Sequence, residues 1–105
     1  MLRIYEGMLE VLRLLRPLLL AIERHDKDLG SQLRRASASV ALNMQEGSGS
    51  RGGTRQQRYR TALGSARESG ACLDVALALG YLDEVDPEVL QKLDAVRATL
   101  ARLVR

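Results

Sequence analysis

Apolar residues recur along this chain at helical spacing. From Leu2 to His25, Ile4, Met8, Val11, Leu15, Leu18 and Ile22 follow one another at alternating steps of four and three, the signature of one helix face. Tyr5, Leu9, Leu12 and Leu19 form a second stripe beside it, and Leu14 and Leu20 lie outside both. A face this wide exceeds what one bundle core requires, so the pattern predicts a second burial surface, most simply another subunit. Pro17 sits inside this helix and removes a backbone donor. A kink or a split near Arg13 to Arg16 is therefore expected.

A second helix is predicted over 29–46, with Asp28 as its N-cap, a stripe of Leu33, Ala36, Val40 and Met44, and Gly47 as a left-handed C-cap. Residues 47–53, GSGSRGG, read as a flexible connector. The third helix is predicted over 54–79. Thr54 and Gln57 match a capping box, Gly80 closes the helix, and Tyr81 and Leu82 fold back as the hydrophobic contact. Gly64 and Gly70 inside it predict close helix approach, which would offset the roughly 1 kcal/mol each costs against alanine. The fourth helix is predicted over 87–104. Asp86 caps it, Pro87 occupies the first position, and Val89, Leu93, Val96, Leu100 and Leu103 form its stripe. Four helices with short connections predict an all-α, antiparallel up-and-down four-helix bundle in a single domain, residues 1–105.

Composition agrees. The chain has 105 residues, 46% hydrophobic and 28% charged, with no Phe or Trp and three Tyr. The core must therefore come from Leu, Val, Ile, Met and Ala, and a β-sandwich or barrel is disfavoured. One Cys excludes an internal disulfide and a cysteine-built zinc site, and Cys72 reads as a buried thiol. Glu6, Glu10, Arg13 and Arg16 interrupt the apolar N-terminus, so neither a membrane span of ~20 residues nor a signal peptide is expected. These features predict a cytoplasmic protein without metal or cofactor.

Catalytic signals are poor. His25, the single histidine, reads as a solvated residue at a helix end. Gly47, Gly49 and Gly52 spell G-x-G-x-x-G, but between two predicted helices rather than after a strand, so a dinucleotide site is not expected. Arg51 and Arg55 flank the next helix start, where free N–H groups can receive an anion.

Charge placement says more than its total of +3. Residues 29–70 hold seven arginines against Glu46 and Glu68, whereas residues 1–28 are balanced and residues 71–105 are acidic. Arginine suits phosphate, which makes Arg34, Arg51, Arg55, Arg58 and Arg60 the candidates for contacting RNA or DNA. Tyr59 fits the apolar line of Leu63 and Ala66, so it reads as core rather than as a base-stacking platform. Gln32, Arg35, Ser39, Asn43 and Glu46 share one helix face and form a polar seam. Arg35 is expected to pair with Glu46 or Glu68, inside the bundle or at an interface, whereas Arg34 is freer to meet a ligand. Replacing Arg35 should then cost more stability than replacing Arg34. The competing reading is a structural or protein-interaction oligomer with no nucleic-acid role.

Residues 29–84 resemble a known family. Leu29, Gln32 to Ala36, then Ser39, Val40, Asn43, Met44, Glu46, Gly47 and Gly49, followed by Gly64, Ser65, Glu68 and Leu79 to Leu82, are similar to the pattern of the four-helix-bundle family of 23S ribosomal RNA intervening-sequence proteins. The resemblance implies a homopentameric ring without assigned enzymatic activity. It also implies kinship with the accessory proteins of diversity-generating retroelements, basic pentamers that associate with a reverse transcriptase and nucleic acid.

Overall fold

A computed structural model describes residues 2–104, and all four elements are helices: α1 (Leu2–His25), α2 (Lys27–Ser48), α3 (Gly52–Ala78) and α4 (Pro87–Leu103). Each packs on its neighbours in sequence, and α4 closes against α1. Cross-helix contacts fix the directions. Gln32 meets Glu68 and Ser39 meets Ser65 between α2 and α3, while Gln56 Nε2 donates to the Leu103 carbonyl at 3.1 Å between α3 and α4. The result is an antiparallel bundle 42 Å long and about half as wide, at 24 × 19 Å.

The predicted stripes form the core. Met8, Val11, Leu15 and Ile22 of α1 meet Leu33, Val40 and Met44 of α2, Ala62, Ala66 and Leu73 of α3, and Val89, Val96 and Leu100 of α4. Tyr59 and Cys72 are buried among them, as expected. The wide apolar face of α1 is largely used within the bundle, because α1 lies between α2 and α4. Tyr5, Leu9, Leu12, Leu14 and Leu18 are half-buried against the core, and Leu20 stays exposed.

The local signals divide. Asp86 Oδ1 accepts from the Glu88 N–H at 2.9 Å with Pro87 in the first turn, as predicted. The end of α3 is also as predicted. Gly80 takes φ +77°, its N–H donates to the Leu77 carbonyl at 3.1 Å and the Tyr81 N–H donates to Ala76 at 2.9 Å, the paired bonds of a Schellman motif. Pro17, by contrast, does not split α1, which runs unbroken through it with Pro17 on the exposed face. There water can satisfy the carbonyl that loses its partner. The cap of α2 is Asp26 rather than Asp28: its Oδ1 accepts from the Leu29 N–H at 2.9 Å. The α1–α2 turn is a single residue, so Asp28 falls inside the first turn, where its charge still favours the helix N-terminus.

The largest departure is the α2–α3 connection. The predicted seven-residue loop is three residues long, because α2 continues to Ser48 and α3 begins at Gly52. Gly47 is not a left-handed cap but a buried helical residue. The Tyr59 ring lies where its Cβ would be, so tertiary packing overrides a weak intrinsic helix propensity. Gly49 ends α2 at φ −88°. Gly52 starts α3 at φ +57°, with Arg51 as an N-cap that makes no side-chain cap bond, so the Thr54–Gln57 capping box is not used. Gly64 and Gly70 do not mark close helix approach, since a Cβ at either would meet nothing within 4 Å. The glycines that do are Gly47 and Gly30, the latter against Glu23.

Candidate nucleic-acid interface

Three residues join α2 to α3, and hydrogen bonds hold them closely. Ser50 Oγ donates to the Glu46 carbonyl at 2.7 Å, and Arg55 Nε donates to the carbonyls of Ser50 at 2.8 Å and Gly47 at 3.2 Å. One arginine of the predicted contact set is therefore the clamp of this turn. One helical turn further on, Arg58 Nη1 meets Glu46 Oε2 at 3.0 Å across the two helices, with both side chains about half exposed. Arg51 and Arg60 are exposed at the same end. Gln56, which bonds to Leu103, shows that α4 also terminates here.

The fold adds two arginines that linear charge counting left out. Arg3 opens α1 and Arg102 lies in the last turn of α4, both exposed. The antiparallel topology thus brings Arg3, Arg51, Arg55, Arg58, Arg60 and Arg102 to this end, together with Glu6, Glu10 and Glu46. A signal for this was available: Arg3 and Arg102 sit at the predicted outer ends of helices one and four, and antiparallel topology places those ends beside the α2–α3 turn.

Arg34 does not join them. It lies 14 residues below the end of α2, about 21 Å along a helix rising 1.5 Å per residue. Its Nη2 donates to Glu23 Oε1 of α1 at 2.8 Å. Within this chain Arg34, rather than Arg35, makes a cross-helix ion pair. Arg35 is exposed, and Glu46 and Glu68, its predicted partners, are taken by Arg58 and by Gln32 Nε2 at 3.3 Å. Hydrogen bonds join the rest of the seam. Asn43 Nδ2 donates to the Ser39 carbonyl at 2.9 Å, and Ser65 Oγ donates to Ser39 Oγ at 2.9 Å across α2 and α3.

The opposite end of the bundle is acidic. Asp26 and Asp28 at the start of α2 and Asp83, Glu84, Asp86 and Glu88 around the α3–α4 connection lie there. There too His25, exposed at the end of α1, stacks on Tyr81 with ring centroids 5.1 Å apart, and the Tyr81 hydroxyl reaches Asp26 Oδ2 at 3.5 Å. Burial pushes the Cys72 thiol above its ordinary range, with the nearby Glu68 charge adding to the shift, so it is protonated at neutral pH. Among the described residues no cluster of His, Cys, Asp and Glu has the makings of a metal site, and no helix is long and apolar enough to cross a membrane.

Comparisons with curated proteins and with solved structures found no match. A family model does match, over residues 5–102 and so across all four helices, and by that match the chain belongs to the family described as 23S rRNA-intervening sequence protein.

Proposed function

We propose that this protein is a non-catalytic, basic, oligomeric helical bundle that binds RNA or DNA through the end formed by the α2–α3 turn. The observation that carries the reading is the gathering of six arginines at that end, from three separate stretches of sequence, with Glu6, Glu10 and Glu46 among them. Guanidinium groups match phosphate oxygens, and no base-reading groove or stacking aromatic is needed for backbone binding. The Arg58–Glu46 pair does not compete strongly. Exposed ion pairs of this kind are worth about 0–1 kcal/mol, less than a charge-assisted bond to phosphate supplies. Arg55 is spoken for by the turn, so Arg51 and Arg58 are the central contacts, with Arg60 beside them and Arg3 and Arg102 at the rim.

The assembly we propose is a homopentameric ring acting in the cytoplasm, with a reverse transcriptase or another nucleic-acid enzyme as a partner. Five copies would multiply the +3 of one chain and make weak single contacts multivalent. Leu20, Leu42, Leu79 and Leu90 are exposed apolar side chains, which supports association between copies.

The test is fluorescence anisotropy of a labelled structured RNA and a matched duplex DNA, from about 50 to 200 mM salt. Affinity should fall by about three orders of magnitude or more if six or more phosphates are engaged together. The double variant Arg51→Glu, Arg58→Glu should bind weakly and with a flatter salt slope. Its circular dichroism melt should stay within a few degrees of the parent, since only an exposed pair is lost. Unchanged affinity in that variant would remove this end from consideration. Absence of binding at the lowest salt would leave a protein-interaction oligomer.

A further inference from the structure

The acidic end of the bundle is apolar as well. Among the described residues six large apolar side chains are exposed, and four of them lie here: Val75, Leu77 and Leu79 at the end of α3 and Leu90 in the first turn of α4. Exposed leucines scattered singly need no explanation, but four gathered at one end form a patch. Residues 74–91, which carry all four, hold five acids and no Lys, Arg or His. Asp74, Asp83 and Glu84 are exposed and make no ion pair among the described residues. Asp86 caps α4, and Glu88 meets Lys92 at 3.9 Å. At the α1–α2 corner of this end Arg24 and Lys27 balance Asp26 and Asp28, and His25 is stacked on Tyr81. The unbalanced negative charge therefore belongs to the α3–α4 side, together with the apolar patch.

Helical spacing arranges the patch. Val75 and Leu79, four residues apart, share one face of α3. Leu77, three residues past Asp74, lies on the side of α3 that meets α4. There Asp74 and Leu90 line one open groove over the buried Ala66 and Leu93. The groove changes sign along its length. Its other end carries Arg67 and Arg97, and Arg97 holds Asp94 at 2.6 Å. Arg67 is seven residues before Asp74, about 10 Å along α3. The acidic part is thus short: the last turn of α3, the first turn of α4 and the connection between them.

We propose that this part of the molecule docks a cationic amphipathic segment of another protein, with apolar side chains on one face and lysines or arginines beside them. The segment would lay its apolar face over Leu77 and Leu90 and bring its cations to Asp74, Asp83 and Glu84, in the manner of a helix seated on a groove. Unpartnered leucines alone would suit another copy of this chain, and charge with shape decides between the two. The arginine end of a second copy exposes no large apolar side chain among the described residues, since Leu42 stands six residues before the end of α2. Leu20, the exposed leucine of α1, offers a single apolar side chain to a patch of four. The inference does not rest on nucleic-acid binding, and the site leaves the arginine end free at the far end of a bundle 42 Å long.

The test uses a fluorescein-labelled peptide of about fourteen residues, with leucine at helical i, i+3, i+4 and i+7 spacing and lysine elsewhere. A peptide of equal charge with serine for each leucine is its control. By anisotropy at about 150 mM salt, where exposed charges are screened beyond about 8 Å, the leucine peptide should bind at least about tenfold more tightly than its control. Leu77→Ser with Leu90→Ser, and separately Asp83→Lys with Glu84→Lys, should each weaken that binding by about tenfold or more. Arg51→Glu with Arg58→Glu should not weaken it. All six positions are exposed, so the bundle should fold in each case, which circular dichroism checks. Equal binding of the two peptides would reduce the surface to charge alone and overturn the proposal. Absence of binding, or binding that the first two variants leave unchanged, would overturn it as well. A parent that ignores the peptide but whose self-association, read by light scattering, is lost in Leu77→Ser with Leu90→Ser would give the patch to a second copy instead.

Discussion

Alanine in place of glycine should have opposite effects at two places in this bundle. At Gly47 the added methyl would run into the ring of Tyr59, which is buried in the core. A helical glycine replaced by alanine gains about 1 kcal/mol of backbone propensity. Overpacking a well-filled core typically costs about 1–3 kcal/mol and sometimes more. Here the obstructing group is a rigid ring rather than the tip of a flexible chain, which places the cost at the upper end. Gly47→Ala should therefore lose about 2 kcal/mol net, or on the order of 10 °C in Tm for a domain of this size. At Gly64 and Gly70 the methyl meets nothing within 4 Å and both residues are helical with negative φ, so only the propensity gain remains. Gly64→Ala and Gly70→Ala should each raise stability by about 0.5–1 kcal/mol. Thermal and urea melts of the three variants decide the matter. A Gly47→Ala protein at least as stable as the parent would refute the close packing of Tyr59 on α2, and Tyr59→Leu in the Gly47→Ala background should recover much of the loss if that packing is real.

The cap of α2 gives a second contrast: Asp26→Ala should cost about 1 kcal/mol by urea melts, whereas Asp28→Ala, which removes only a favourable charge in the first turn, should cost less than half of that. At Cys72 the fold holds the thiol in its protonated form, so its folded pKa is raised. The stability it contributes is present below the unfolded value near 8.5 and is lost as pH rises from there through the folded value. Stability measured between pH 7 and 10 should accordingly fall more steeply in the parent than in Cys72→Ala, and a thiol reagent should label the native protein far more slowly than the urea-unfolded one; equal labelling rates would refute the burial.

Local chemistry was legible in the sequence where one stretch of chain settles it. The Asp86–Pro87 start of α4 and the Gly80 end of α3 are decided by residues within one turn of the feature, and both stand as predicted. The stripes of Val, Leu, Met and Ala are equally self-contained, because a single helical period selects them. Failures came where a distant residue decides. Glycine and serine at 47–50 have weak helix propensity, and nothing in that stretch reports that Tyr59, two turns beyond the connection, seals Gly47 into α2. The seam shows the same limit. Helical spacing correctly placed Gln32, Arg35, Ser39, Asn43 and Glu46 near one another on α2, but it cannot say which of them faces a charge on another helix. Arg58 reaches Glu46 from α3 and Arg34 reaches Glu23 on α1, so Arg35 is left facing solvent.

Charge followed the same rule in a way that bears on function. Counted along the chain, the arginines form a block over 29–70, but the fold removes Arg34 from the arginine-rich end and adds Arg3 and Arg102 from stretches that are balanced or acidic. Net charge misleads further, since +3 averages a basic end with an acidic one. The bundle is 42 Å long, and at physiological ionic strength charges are screened over about 8 Å. A phosphate chain near the arginine end is therefore separated from Asp83, Glu84, Asp86 and Glu88 by several screening lengths, and those acids do little to weaken its attraction. At low salt the screening length approaches the size of the bundle and the two ends begin to oppose one another. The acidic end would then orient the approach, so that nucleic acid meets the α2–α3 turn and not the α3–α4 connection.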